Sequence, residues 1–172
     1  MRDELADALV GYEPRERTDP NLQDSAVVLS IVDRGPPLVT FVRRAADRPR
    51  HAGEIGLPGG RTEPIDGSLR ETAIREFEEE VGVAPERLDL LGRLDDVATP
   101  TGYRIAPFVG IVDPDATFER QEAEVDELLF VPLSKLIEQH DGEDDPAYEY
   151  DGTMIWGATG RIVASFLTIV EG

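Results

Sequence analysis

The stretch "GGRTEPIDGSLRETAIREFEEEVGV", residues 59–83, places Glu76, Glu78, Glu79 and Glu80 within five positions of a chain whose formal net charge is already −19. Ser68 and Glu71, in "SLRE", have the spacing of a helix capping box. Ala73, Ile74, Phe77 and Val81 recur at helical spacing and form a core-facing stripe. Gly82 supplies the left-handed residue that stops a helix. The spacing therefore predicts a helix over 68–81. On it, Glu76, Glu79 and Glu80 are related as i, i+3 and i+4 and share a face beside the apolar stripe. Like charges so placed cost a few tenths of a kcal/mol per pair on an exposed helix, and a divalent cation reverses the sign of that cost. Arg75, four residues before Glu79, is placed to hold that carboxylate in one rotamer. Upstream, Gly59 and Gly60 leave backbone unshielded for close approach of a phosphate or a metal. With 36 acidic residues in the chain, an acidic helix face alone is ordinarily just solvated; the order and spacing of the whole stretch carry the signal.

Composition narrows the chemistry. The 172 residues suit one domain, read here as spanning 1–172, and 40% of them are hydrophobic, enough for a core. Absence of cysteine excludes disulfides, thiolate metal sites and a cysteine nucleophile. With His51 and His140 the only histidines, a histidine-rich zinc site is not expected and a bound metal must be held mainly by oxygen, which favours Mg²⁺ or Mn²⁺. The charge argues against partnership with nucleic acid or an anionic membrane. Apolar runs such as "AVVLSIV" are too short to cross a bilayer, and the acidic N-terminus is unlike a signal peptide, so a soluble, cytoplasmic protein is expected. Lys135 is the only lysine against 16 arginines. Abundant acid with so little lysine points to adaptation to high intracellular salt, as in salt-loving archaea, and to salt-dependent folding.

Around the acidic helix the chain alternates strand and helix signals. Residues 1–18 read as a short amphipathic helix and a polar connector. Residues 24–33 and 38–44 read as strands joined by "RGPP" in a hairpin, and "EIGL" as a short strand. Strand patterns follow at 88–97 and 103–112. Residues 127–140 read as a strand running through Pro132 into a helix, 141–152 as an acidic loop, and 154–170 as a closing helix. The early hairpin with interleaved helices predicts an α/β fold with a mixed sheet.

The stretch resembles the Nudix box: a glycine, five residues, an acid, seven residues, then Arg-Glu, an apolar residue, any residue, Glu-Glu, any residue, Gly and an apolar residue. Arg75 to Val83 match its second half throughout. In the first half Gly60 leads to Asp66 in place of Glu, with one extra residue before Arg75. The preceding "FVRRAADRPRHAGEIGLPGG" is similar to the segment before the box in the coenzyme A pyrophosphatases of that superfamily. Gly53 and Pro58-Gly59-Gly60 fit it; Val42, Ala45, Pro49 and Leu57 stand where that subgroup has Thr, Ser, Arg and Phe, and Arg48 or Arg50 substitutes for the displaced arginine. "YRIAPFVGIV", "EVDELLFVPLSKL" and "MIWGATGRI" extend the likeness over residues 24–170.

The resemblance implies a Nudix fold, a mixed β-sheet sandwiched between α-helices, and metal-dependent hydrolysis of a nucleoside diphosphate linked to another group. It implies coenzyme A or an acyl derivative as substrate, with ADP-ribose, NADH or a nucleoside triphosphate as alternatives, and a nucleotide-binding domain without catalysis as a further one. Glu76, Glu79 and Glu80, with the Gly60 carbonyl, would hold Mg²⁺ or Mn²⁺. Glu79, or a glutamate from a later loop, Glu124 or Glu127, would be the general base, with surface charge the competing reading for those two. Arg43, Arg44, Arg48 and Arg50, with Gly59, would meet substrate phosphates, with salt bridging to the acidic surface the alternative for the arginines. His51 reads as a loop hydrogen-bonding residue and Trp156 as core. A small-molecule nucleotide is the expected partner, and a homodimer is compatible with the sequence.

Overall fold

The computed structural model describes residues 1–47 and 53–172. The apolar run of the first strand signal lies in β1 (Gln23–Asp33), where every residue from Ser25 to Val32 is buried. Such a strand belongs in the middle of a sheet covered on both faces. It runs parallel to β7 (Tyr103–Val112), from Gln23 opposite Tyr103 to Val32 opposite Val112. On its other side β2 (Pro37–Arg44) pairs antiparallel with the end of β1. The remaining strands all pair antiparallel: β3 (Ile55–Gly56) and β8 (Val125–Pro132) with β2, β4 (Gly59–Arg61) with the start of β1, and β5 (Leu88–Arg93) and β6 (Val97–Ala98) with β7. Among the described residues one parallel pair stands among antiparallel ones, which makes the sheet mixed, as expected.

Helices cover both faces. Val27, Leu29 and Ile31 of β1 and Phe41 of β2 pack with residues of α1 (Arg2–Val10), α3 (Leu133–Gln139) and α4 (Gly157–Glu171), among them Leu5, Leu136 and Phe166. Alternate residues, Ala26, Val28 and Val42, pack on Ala73, Phe77 and Val81 of α2 (Leu69–Val81). Truncating a fully buried phenylalanine such as Phe77 to alanine costs about 3–5 kcal/mol.

The signals that bound α2 work as expected, with one change. The Ser68 side chain accepts from the Glu71 amide, and Gly82 takes φ 73°. The Glu71 carboxylate, however, accepts from the Gly67 amide, so the capping box is closed one residue upstream.

Four expectations need correction. Ile74 is only half-buried, because the buried stripe is Thr72, Ala73, Glu76, Phe77, Glu80 and Val81. At about 100° per residue Glu80 falls within roughly 20° of Ala73 on the helix, whereas Ile74 lies about 100° away. Residues 141–152 are not all loop: β9 (Tyr148–Tyr150) pairs with β10 (Thr153–Ile155) across an Asp151-Gly152 turn, both of whose φ angles are positive, 51° and 77°. That is the two-residue Asp-Gly hairpin turn, hidden in the sequence among other acids. The closing helix consequently begins at Gly157, and Trp156, just outside it, is 61% exposed and not core.

Candidate metal centre

Strand β4 lies beside the buried face of α2, and two glycines make the approach possible. A Cβ on Gly59 would come within 2.6 Å of the Val27 Cα, and one on Gly60 within 2.5 Å of the Glu76 carboxyl carbon. The Glu76 and Glu80 carboxylates therefore enter between helix and strand. Glu80, 1% exposed, accepts from the Gly59 amide at 3.2 Å and from Arg44 Nη1 at 2.8 Å. Arg44 ends β2, and the Ala45 amide after it donates to the Glu124 carbonyl at 3.0 Å. This tie brings the loop before β8 to the site. Carboxylate oxygens of Glu76, Glu80 and Glu124 lie within 4.8 Å of one another.

Burial pushes the Glu80 carboxyl up to about 7 despite Arg44 and the Gly59 amide, which favour its charged form. Burial also raises Glu76, against the pull of Arg75, with Glu79 and Glu124 adding to the rise. Three converging carboxylates, two of them buried and both resisting ionisation, form a site that a small divalent cation fits. Its donors are all oxygen, the set preferred by Mg²⁺ and Mn²⁺.

Arg75 organises the rim. Its Nη1 reaches Glu76 at 2.9 Å and both Glu79 oxygens at 3.3 Å. Its other edge grips Asp66, Nε to Oδ1 at 2.8 Å and Nη2 to Oδ2 at 2.9 Å, and also donates to the Arg61 carbonyl at 3.1 Å. The Asp66 carboxylate, 3% exposed, further accepts from the Thr72 hydroxyl and the Glu63 amide. The Arg75 guanidinium, with those two hydrogen bonds, holds Asp66 well below the usual carboxylate range despite burial. The sequence places Asp66 at the acid position of the box's first half, but does not show that its partner is Arg75.

Relative to the sequence expectations, Glu76 and Glu80 sit in the cage with Gly59 and Gly60 as its wall, and Glu124 closes it. Glu79 stands at the rim, 53% exposed, against Arg75. Glu127 lies elsewhere, opposite Arg43 on β8, where Arg43 Nε reaches it at 3.3 Å. Arg43 Nη2 also donates to Thr153 at 3.1 Å, so Arg43 and Arg44, neighbours on β2, serve different surroundings. Arg48, Pro49, Arg50 and His51 lie outside the described residues.

The model of the NUDIX domain matches residues 21–150. The chain belongs to the Nudix family. It is 34% identical over 154 residues to the uncharacterized Nudix hydrolase NudL of Yersinia enterocolitica, covering 83% of this chain and 79% of that one. It is 32% identical over 161 residues to NudL of Photorhabdus laumondii, covering 87% and 86%. The MutT protein of Methanosarcina mazei has a similar crystal structure, with TM-score 0.56, 20% identity, and coverage of 94% of this chain and 96% of that one. The NUDIX domain of Shewanella oneidensis NrtR, solved with ADP ribose, gives TM-score 0.53 at 21% identity, covering 77% and 86%. At those identities the two structures attest the Nudix fold alone. The chain is thus a Nudix hydrolase, a family that generally uses divalent metals, and two of the three carboxylates of its cage, Glu76 and Glu80, lie on the helix of the Nudix box. Among the described residues no helix is long and apolar enough to cross a membrane.

Proposed function

We propose that this Nudix hydrolase cleaves the diphosphate of coenzyme A or an acyl derivative, releasing 3′,5′-ADP and 4′-phosphopantetheine or its acyl form. The observation that carries the reaction class is the convergence of Glu76, Glu80 and Glu124 within 4.8 Å beside Arg44. Glu76 and Glu80, with the Gly60 carbonyl, hold Mg²⁺ or Mn²⁺, and Glu79 supplies a further carboxylate at the rim. When bound, the cation neutralises charge on the diphosphate and makes a water more acidic. Arg44, one side chain from the cage, binds a phosphoryl oxygen by a charge-assisted hydrogen bond. Glu124 faces the two buried glutamates and takes the proton of the attacking water. Arg75 keeps Glu76 and Glu79 in place and is itself held by Asp66. Water attacks one phosphorus and the second phosphoryl group leaves, so no covalent intermediate is needed.

Support for coenzyme A comes from where this chain departs from the pyrophosphatase pattern. Val42, Ala45 and Leu57 are 0%, 2% and 2% exposed. These three changes fall in the core, where they leave substrate contacts untouched, and the fourth departure, Pro49, lies outside the described residues. The acid-rich, lysine-poor composition supports a protein that works at high salt in the cytoplasm. The test is chromatography of products from coenzyme A, ADP-ribose and NADH, in molar KCl with Mg²⁺ or Mn²⁺. Metal-dependent release of 3′,5′-ADP from coenzyme A in preference to turnover of the others is expected. Turnover of ADP-ribose or NADH in its place removes the coenzyme A assignment and keeps the reaction class.

A further inference from the structure

The β9–β10 hairpin leaves two large apolar side chains in solvent, Met154 at 48% and Trp156 at 61% exposed. Strand alternation explains their direction. The cross-strand partners Tyr148 and Ile155 are 0% and 1% exposed, so the residues on either side of Ile155 point outward together. Between this face and the β2–β3 edge lies an open cavity of about 350 Å³, whose walls include Arg43, Glu54, Ile55, Thr153, Met154 and Trp156. A strand pair links it to the carboxylate cage. Arg43 pairs with Ile55 and Val42 with Gly56. The next residue, Arg44, contacts Glu80, and a Cβ on Gly56 would sit 3.6 Å from its Nη2.

The chemistry of the walls restricts the occupant. An acyl chain calls for a closed apolar slot, whereas this cavity is open and half of the named walls are polar or charged. A flat ring with a neighbouring anion suits it better: the ring stacks on the indole and the methionine sulfur, and Arg43 supplies the cation in an otherwise acidic protein. We propose that this cavity is the base subsite, in which the adenine half of the substrate stacks on Trp156 beside Met154 with Arg43 toward its phosphates. The assignment rests on the nucleotide-hydrolase reading above and adds the half of the substrate that the cage does not touch.

Trp156 is the sole tryptophan of the chain, so its fluorescence reports on this cavity directly. The metal-free protein in molar KCl is titrated with AMP, ribose 5-phosphate and 4′-phosphopantetheine. AMP is expected to quench the emission saturably, and the other two to leave it unchanged. Met154→Ala, which keeps the reporter, should weaken the AMP response, and Trp156→Ala should raise the KM for coenzyme A roughly tenfold. No quenching by AMP, equal quenching by ribose 5-phosphate, or quenching by 4′-phosphopantetheine in its place overturns the inference. Because the titration needs no turnover, its failure beside intact coenzyme A hydrolysis removes the base subsite and leaves the reaction class standing. AMP-specific quenching without hydrolysis does the reverse.

Discussion

Arg75 and Asp66 form a two-point ion pair, Nε to Oδ1 at 2.8 Å and Nη2 to Oδ2 at 2.9 Å, with the carboxylate almost fully enclosed. The planar fork of the guanidinium fixes its own orientation through this pair. Its remaining nitrogen is thereby aimed at Glu76 and Glu79. Asp66→Asn keeps the size and removes the charge. We expect kcat to fall roughly 10- to 100-fold, as for other residues that orient metal ligands. Steady-state kinetics and metal titration of the variant check this; unchanged kcat and affinity would show that Arg75 needs no such support.

Glu80 gives the metal-free protein a signed pH dependence. Its folded pKa of about 7 stands above the unfolded value of about 4.3. The folded state therefore holds the proton more tightly, and the group's contribution to stability is complete below about 4.3 and lost as pH rises to about 7. With chelator present, wild type should lose stability across that window relative to Glu80→Gln. Thermal unfolding at several pH values measures the difference, and Mg²⁺ should shrink it by stabilising the charged form.

The adjacent glycines should fail differently. A methyl group on Gly59 meets backbone of β1, which cannot yield. Gly59→Ala should cost about 1–3 kcal/mol as an overpacked interior. A methyl group on Gly60 meets the movable end of Glu76. Gly60→Ala should keep most of the stability and lose metal affinity and activity. Unfolding and metal titration on both variants separate the two effects.

Glu124 and Glu127 differ in place, so they should differ in effect. Glu124→Gln should lower kcat by about 10² to 10⁴, the range for loss of a general base. Glu127→Gln removes a half-exposed pairing with Arg43 and should change kcat by less than roughly threefold, since such ion pairs contribute little. The reverse ranking would move the base to β8.

Much of this was legible in the sequence. The helix, its Ser68 and Gly82 ends, the buried β1 and the mixed sheet follow from periodicity and turn residues, each of which acts locally. The gathering of acids on α2 was legible too, though the burial of Glu80 follows only when its angle is taken from Ala73 rather than from the other glutamates. What escaped depends on distant contacts. Asp66 is one acid among 36, and its partner is known only once the loop folds back over Arg75. Choosing between Glu124 and Glu127 requires the register of β8 against β2, which is shifted between Arg43 and Arg44. Trp156 reads as core while residues 154–170 are taken as one helix; the Asp151-Gly152 turn makes a hairpin of that segment's start and turns the indole outward.

The most direct test of the account is a Mn²⁺ titration of the wild-type protein and Glu80→Gln near pH 8, followed by calorimetry or electron paramagnetic resonance. The carboxylate cage predicts binding by wild type and a loss of tenfold or more in affinity in the variant, both proteins remaining folded. Equal affinity in the two would contradict a cation held by Glu76 and Glu80.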